Sequence, residues 1–468
     1  MPKIPLLKGL LLPIGEIPLD SIQPDPNISC TKKDLKTITS YNLLPKKEKS
    51  MVVPGTPPIY KPPTTPLLVP ADSGKYILDP NSHIFPKCSL EPLLRAISTS
   101  TTTSTTPKPK LNLTTTDLIT DRRNLRLLLS FVSANKKPFR INIEVIHSTV
   151  LFSTWTSSKT NTNFVGKFEG YGHSFEKTST WTPRYIRGSI IHNRVVRYTL
   201  GGIHILLRYE VDACMPGKPH TPNPNNTNQQ TPTGINIINS GTLVHPHRII
   251  EIKPGPVNKR LDNSKNLSQM WFSHTPILCT GQYQPDGTFL PARTQNMEKE
   301  GRLAQWERDN EEKIRKLVRV LERVFEVVRG VPHKCALVHN GDGVLRVYQD
   351  DGNGAVGRGV PGDLLGLWDD GGVPVNTTAL PPFNLDEATE RQPKRKLSQA
   401  TELAIKTSRK KGKVTSTLNE AAWDYATEFL KDPRIGVGYW LEKRTGVSTT
   451  CRPRQLKRLQ FPSSLLPS

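Results

Sequence analysis

Four acidic residues and one lysine stand in an order that suits a divalent cation. Glu176 closes the run Gly172-His173-Ser174-Phe175-Glu176. Glu210 and Asp212 bracket Val211, and Glu251 and Lys253 bracket Ile252. Residues 209–212 and 250–253 read as β-type segments, in which side chains alternate faces. Glu210 and Asp212 then point one way, as do Glu251 and Lys253, while their apolar neighbours point into a core. Adjacent strands of one sheet would bring three carboxylates and an ammonium together. Burying several carboxylates is unfavourable, through lost hydration and mutual repulsion, unless a cation compensates. An all-oxygen ligand set selects a hard ion, Mg²⁺ or Mn²⁺. Such a site suits hydrolysis of phosphodiester or pyrophosphate bonds. The ion neutralises phosphate oxygens and activates water, and Lys253 stabilises charge in the transition state. A lone Glu-x-Lys arises by chance in any basic chain. The strand context and the tandem of two clusters behind Glu176 are what give the pattern weight.

The elements that must position these groups are legible from periodicity. Leucines at 125, 127, 128 and 129 mark a short helix over 121–132. Phe139, Ile141, Ile143 and Val145 alternate with polar residues, which predicts a half-buried strand, and 149–154 returns antiparallel to it. Two more strands, 195–200 and 203–211, flank the turn signal Gly201-Gly202. In the second, Ile203, Ile205, Leu207, Tyr209 and Val211 share a face. The Pro/Asn/Thr-rich stretch 216–234 reads as a flexible insertion. Residues 295–329 contain the strongest helix. Ile314, Leu317, Val318, Leu321, Val324, Phe325 and Val328 form its apolar stripe, Trp306 is a packing anchor, and Gly330 and Pro332 mark the end. A hairpin follows at 335–348. The fold class expected is α+β, a mixed and largely antiparallel sheet flanked by helices.

Composition sets the frame. The chain has 468 residues, of which 35% are hydrophobic and 42 are proline, and a formal net charge of +23. That charge points to a polyanionic partner, nucleic acid first. Residues 1–118, Pro/Ser/Thr-rich with an unbroken Ser/Thr run over 98–106, read as a disordered N-terminal region. Short apolar pieces at 10–12 and 93–97 are candidates for docking on the globular domain, placed at 119–350. Residues 351–415 read as a Gly/Pro-rich and then basic linker, and 416–468 as a tail with one candidate helix. Lys394, Arg395 and Lys396, followed by Arg409, Lys410, Lys411 and Lys413, have the spacing of a bipartite nuclear-import signal. The alternative is a solvated basic linker. A nuclear location follows from the first reading, with the cytoplasm as a second compartment. The six cysteines form no CxxC pair, which favours reduced thiols over zinc or disulfides. The first residues make a poor signal peptide. No stretch has the length of apolar residues that a membrane span needs, so no membrane partner is expected.

Asp212 with Glu251-x-Lys253 resembles the signature of the PD-(D/E)xK nuclease core. The wider motif order resembles one branch of it, the decapping exoribonuclease family with its nuclear fungal members. Gly172–Glu176 resembles that family's first acidic motif, 210–212 the second and 251–253 the third. Residues 268–272, around Trp271, and 281–287 resemble the last two. Arg122-Arg123-Asn124-Leu125 resembles the Arg-bearing motif that precedes them. Ser273 stands where the family usually has glutamine, and His173 where it has a larger apolar residue. The match covers about 121–348. The resemblance implies that Glu176, Glu210, Asp212 and Glu251 hold Mg²⁺ or Mn²⁺ directly or through water, with Lys253 orienting water or the scissile phosphate. It implies RNA contacts from Arg122, Arg123 and position 273. The substrate implied is an RNA 5′ end, and a nuclear 5′–3′ exoribonuclease is the implied protein partner. Two other readings stay open: an inactive RNA-binding adaptor that stimulates a partner nuclease, and a DNA-directed nuclease on the same core.

Overall fold

The alternating segments pair as strands of one large sheet. A computed structural model describes residues 6–369, apart from 65, 103–110, 156–161, 166–169, 218–227, 259–262, 354–356 and 358. All of them belong to one unit, Met1–Pro374. The expected tail helix, the basic clusters at 394–413 and most of the linker lie outside the described residues.

The large sheet has twelve strands among the described residues. It runs from an edge strand, Leu10–Pro18, through Val344–Asp350, Cys335–His339, Phe139–Ile146, Thr149–Thr154, Leu118–Asp121, Ile203–Glu210, Ile191–Leu200 and Lys33–Leu43. Ser50–Val52, Asn236–Ile238 and Asn228–Gln230 complete it. Most pairs are antiparallel; Leu118–Asp121 runs parallel to both of its neighbours. The expected hairpins at 139–154, 195–211 and 335–348 all form, the second starting earlier, at Ile191, and the third running on to Asp350.

Both faces of this sheet are covered. On one, Ile203, Ile205, Leu207 and Tyr209 join Ile141, Ile143 and the stripe of helix Glu311–Arg329 in the main core. On the other, Leu206 and Ile119 meet Leu93, Leu94 and Ile97 of helix Glu91–Thr102, with Leu364, Leu367 and Trp368. A strand covered on both sides loses the clean polar alternation of a half-exposed one. The long helical segment is two helices, Arg302–Asp309 and Glu311–Arg329, broken at Asn310. Trp306 is buried and packs 5.2 Å from Trp271, as a packing anchor should.

A second sheet, of eight strands among the described residues, is centred on Ala213–Cys214, Ile249–Pro256 and Ile277–Tyr283. Its own small core holds Ile250, Ile252, Phe175 and Phe289. The chain crosses from the large sheet to this one between Glu210 and Ala213.

Three expectations are corrected. Residues 6–102 are not disordered: they supply strands to both sheets and helix Glu91–Thr102, with Tyr41, Leu43, Met51 and Leu94 fully buried. The fold does not stop at 350, because the turn Gly362–Trp368 closes the second face of the sheet. The insertion 216–234 is not wholly a loop, since Asn228–Gln230 pairs with Asn236–Ile238. Among the described residues, no helix is long and apolar enough to cross a membrane. Cys30, Cys88, Cys214, Cys279 and Cys335 are buried free thiols.

Candidate functional site

The crossing between the two sheets gathers the acidic residues. Glu210 ends strand Ile203–Glu210 of the large sheet, and Asp212 lies one residue before Ala213–Cys214 of the small one. Glu251 and Lys253 share a face of strand Ile249–Pro256, with Ile250 and Ile252 turned into the small core. The acids therefore meet at a junction of two sheets and not, as expected, on neighbouring strands of one. Pairing of Ala213 with Ile250 sets the register. The Ile252 amide donates to Asp212 Oδ2 at 2.7 Å, which fixes that carboxylate beside the Glu251–Lys253 strand.

Lys253 Nζ stands 3.6 Å from Asp212 Oδ2 and forms an ion pair with Glu251. Glu251 is almost fully buried. It receives Arg122 Nη1 at 3.4 Å on one oxygen and the Gln269 amide on the other. Burial alone would raise the Glu251 pKa, but Lys253 and Arg122 hold it below the ordinary carboxylate value. Its neighbours go the other way. Burial, reinforced by the remaining carboxylates, pushes Asp212 up to about 6 and Glu210 up to about 7. Burial also lifts Glu176 well above its ordinary value, aided by Asp212 and Glu210. Lys253 is held charged: burial opposes this, and Asp212 and Glu251 override it.

The structure thus sets Asp212 and Glu251 against Lys253, with Glu176 and Glu210 near enough for their charges to be felt there. Fully ionised, four carboxylates against Lys253 and Arg122 leave two formal negative charges, which is what a divalent cation would neutralise. The donor chemistry fits a hard ion. With the side chains as they stand, however, no three His, Cys, Asp or Glu residues among those described are gathered closely enough to hold a metal. The Lys253 ammonium pairs with both Asp212 and Glu251.

Glu176 arrives on helix Gly172–Thr178, which is held in its middle and at its N-terminus. Phe175 is buried and stacks on Phe289 with centroids 4.2 Å apart. A Cβ at Gly281 would stand 2.5 Å from that Phe175 ring, so the strand beneath needs glycine there. At the N-terminus the helix has no cap of its own. Asp72 supplies one from a distant segment, accepting the His173 and Ser174 amides at 3.1 and 2.8 Å. Tyr76 stacks on His173 at 3.9 Å, which gives the histidine a packing partner in place of the larger side chain expected there.

Among the expected RNA contacts, Arg123 is exposed at the helix start. Arg122 is turned inward, to Glu251 and to Ser273 Oγ at 3.1 Å. Ser273 is fully buried and also donates to the Gln269 carbonyl, so it braces Arg122 from behind and does not face a ligand. That corrects its expected role. Three residues of the site have no role expected from sequence: Asp72, Gln269 and Arg126, whose guanidinium donates to Gln269 Oε1 at 3.1 Å. The last two carry a sequence signal. Arg122 and Arg126 lie four apart on one helix, and Gln269 and Ser273 four apart on another, so each pair shares a face.

The family model described as "Domain of unknown function (DUF8563)" matches residues 17–364. No curated protein matches the chain. Among solved structures, Rai1 of S. pombe is similar over 72% of this chain and 99% of its own, at 13% identity and a TM-score of 0.48. Candida albicans Rai1 in complex with pU5-Mn²⁺ is similar over 76% of this chain and 98% of its own, at 12% identity and 0.49. K. lactis Dxo1 in complex with manganese covers 72% and is covered over 95%, at 10% identity and 0.42.

Proposed function

The chain belongs to the DUF8563 family, and we propose that this member is a divalent-metal-dependent hydrolase acting on the 5′ ends of RNA. The observation that carries the reading is the pairing of Asp212 and Glu251 with one lysine at the junction of two sheets, with Glu176 and Glu210 near enough for their charges to couple to it. Unfavourable burial of like charges persists where a function requires it. The order of motifs supports an RNA 5′ end as substrate, and the net charge of +23 supports a polyanion.

In this reading the four carboxylates are the residues that would hold Mg²⁺ or Mn²⁺. When bound, the ion supplies charge neutralisation at phosphate oxygens and a more acidic water. Asp212 and Glu251 are kept oriented by the Ile252 amide, Gln269 and Arg122. Lys253, which pairs with both of them, is the group that would donate to a phosphate oxygen as negative charge develops. Arg122 neutralises Glu251 and limits repulsion within the cluster. A nuclear location, through the basic clusters at 394–413, and cooperation with a nuclear 5′–3′ exoribonuclease belong to the same proposal.

The test is release of the 5′ group from end-labelled RNAs bearing a triphosphate, an unmethylated cap or an NAD cap, with Mg²⁺ or Mn²⁺. The doubly substituted Glu210→Ala/Asp212→Ala protein is the control. Release by the wild type alone is expected. The second reading, an inactive RNA-binding adaptor, is favoured by one observation: Lys253 already pairs with both Asp212 and Glu251. It predicts RNA binding without release in both proteins. A DNA-directed nuclease would prefer DNA in the same comparison.

A further inference from the structure

Helix Asn263–Ser273 serves the acid site from two positions four apart: Gln269 donates to Glu251, and Ser273 Oγ accepts from Arg122. Whatever fixes the end of this helix fixes both contacts. The end is a Schellman cap, in which the Thr275 amide donates to the Met270 carbonyl at 3.0 Å and the His274 amide to the Trp271 carbonyl at 3.2 Å. The residue that turns the chain is His274, with a φ of +50°. That conformation favours glycine, and a side chain there is strained. A distant segment reinforces the cap. Lys32, half-buried and one residue before strand Lys33–Leu43, donates from Nζ to the same Trp271 carbonyl. Its Nζ also stands 4.5 Å from the centroid of the Trp271 ring and 5.5 Å from that of Tyr198. Burial lowers the Lys32 pKa to about 7, and Glu307 and Glu298 act against this. The amine donates to a carbonyl in either state. Charged, it also opposes the negative end of the helix dipole and is drawn to the two rings. The Trp271 ring is fixed as well. Its Nε1 donates to one oxygen of Glu307 at 2.8 Å, and Thr31 donates to the other at 2.8 Å. Residues 31 and 32 thus hold Trp271 by its carbonyl and, through Glu307, by its ring.

We propose that Lys32 is a positioning residue of the acid site, acting through the Trp271 carbonyl to hold Gln269 against Glu251 and Ser273 against Arg122. The proposal rests on the reading of the acids as a hydrolytic centre and adds to that centre a residue from the N-terminal segment. Gln269 and Ser273 each lie two residues from Trp271, less than one helical turn away. A last turn that loosens at Trp271 therefore carries both side chains with it. Glu251 then loses the Gln269 amide on one oxygen, and the Arg122 that serves the other loses its brace. Glu251 and Ser273 are buried, so water does not readily replace either contact.

The experiment uses the full chain with Lys32→Met, which keeps the stem over the rings and removes the donor, and Lys32→Arg, which keeps a cationic donor. Gln269→Ala and Lys32→Met/Gln269→Ala complete a cycle. Release of the 5′ group is followed on the end-labelled RNA that the wild type hydrolyses. Lys32→Met should lower kcat about tenfold and leave KM within about twofold, as expected when a catalytic group is displaced and no substrate contact is lost. Lys32→Arg should recover most of that loss. Both Lys32 and Gln269 act on one contact, so the double variant should fall no more than about threefold below Gln269→Ala. Hydrogen exchange is the readout apart from activity. In Lys32→Met the amides of 268–275 should exchange faster, with helix Glu311–Arg329 unchanged. If the wild type releases no 5′ group, the hydrolytic reading fails, and exchange still decides whether Lys32 holds the helix. Unchanged exchange at 268–275, or faster exchange throughout the chain, would overturn the proposal. A loss of kcat in Lys32→Met that is fully additive with Gln269→Ala would do the same.

Discussion

At the scale of single residues, the site is a balance of charges that should be readable in stability. The Asp212 pKa is raised to about 6 by burial and by Glu251. The folded protein then holds this proton more tightly than the unfolded chain does. The contribution to stability is present below the unfolded value of about 4 and is lost as pH rises through about 6. Asp212→Asn removes the charge but keeps an acceptor for the Ile252 amide. We expect it to be more stable than wild type by about 1–2 kcal/mol at pH 8 in a chelator, with the gain gone near pH 4. Urea unfolding at the two pH values measures this. Adding Mn²⁺ should then raise the melting temperature of the wild type and leave the variant unmoved; equal shifts would remove Asp212 from any metal site. Asp72 gives a second prediction. As the cap of the Glu176 helix it is replaceable by Asn and not by Ala. Asp72→Ala should weaken Mn²⁺ binding about tenfold, equivalent to the ~1.4 kcal/mol scale of a lost cap, and Asp72→Asn should restore it. Calorimetric titration separates them. If Asn binds as poorly as Ala, the charge of Asp72 matters and its capping does not.

At the scale of elements, buried polar ties hold the strands that carry the acids. Arg208 lies two residues before Glu210 on the same strand and is fully buried. It pairs with Asp121 on the neighbouring strand at 2.6 Å and donates to Tyr41 Oη and the Ser89 carbonyl. Arg208→Met leaves Asp121 and these acceptors without their partner, and should cost about 3–5 kcal/mol in chemical unfolding. Arg208→Met/Asp121→Leu should recover much of the loss, because both charges then leave the interior. An additive double variant would show that the two residues are not coupled. These ties also mark where sequence reading stops. The alternation of Ile203, Ile205, Leu207 and Tyr209 names one buried face correctly, and the Glu-x-Asp and Glu-x-Lys spacings name the acids. Nothing in a period of two says that the opposite face, with Leu206 and Arg208, is buried as well. Nor does it say that the chain leaves one sheet at Glu210 and enters another just after Asp212, because the crossing depends on what pairs with Ala213. Gln269 lies within a legible motif, but its role depends on Glu251 lying beneath its helix.

At the scale of the whole molecule, residues 6–102 look disordered in sequence because their order is bound to distant partners. Strand Leu10–Pro18 pairs with Val344–Asp350, at the far end of the fold. Its prolines sit on an edge, where a missing amide is tolerated. Strand Lys33–Leu43 packs against Ile191–Leu200, and its last residues are buried. They nevertheless look polar in sequence. Ser40 donates to the Gly55 carbonyl at 2.8 Å, and Asn42 accepts the Thr56 amide at 2.7 Å, so burial costs them little. Local composition cannot reveal this kind of satisfaction. The same segment supplies Asp72 to the Glu176 helix and Tyr41 and Ser89 to Arg208, so it supports the site as well as the fold. A chain that starts at residue 119 would lose Tyr41, Leu43, Met51, Leu93, Leu94 and Ile97 from the second core. It would also expose one edge of strand Ile191–Leu200 in the middle of the sheet. An unpaired central strand with an open apolar face favours association over folding. The shortened chain is therefore expected to aggregate and to show no cooperative melting transition by circular dichroism, whereas the full chain melts cooperatively. A soluble, cooperatively melting 119–468 chain that still releases RNA 5′ groups would mean that the N-terminal strands are accessory, and that the acids are held by the remaining elements alone.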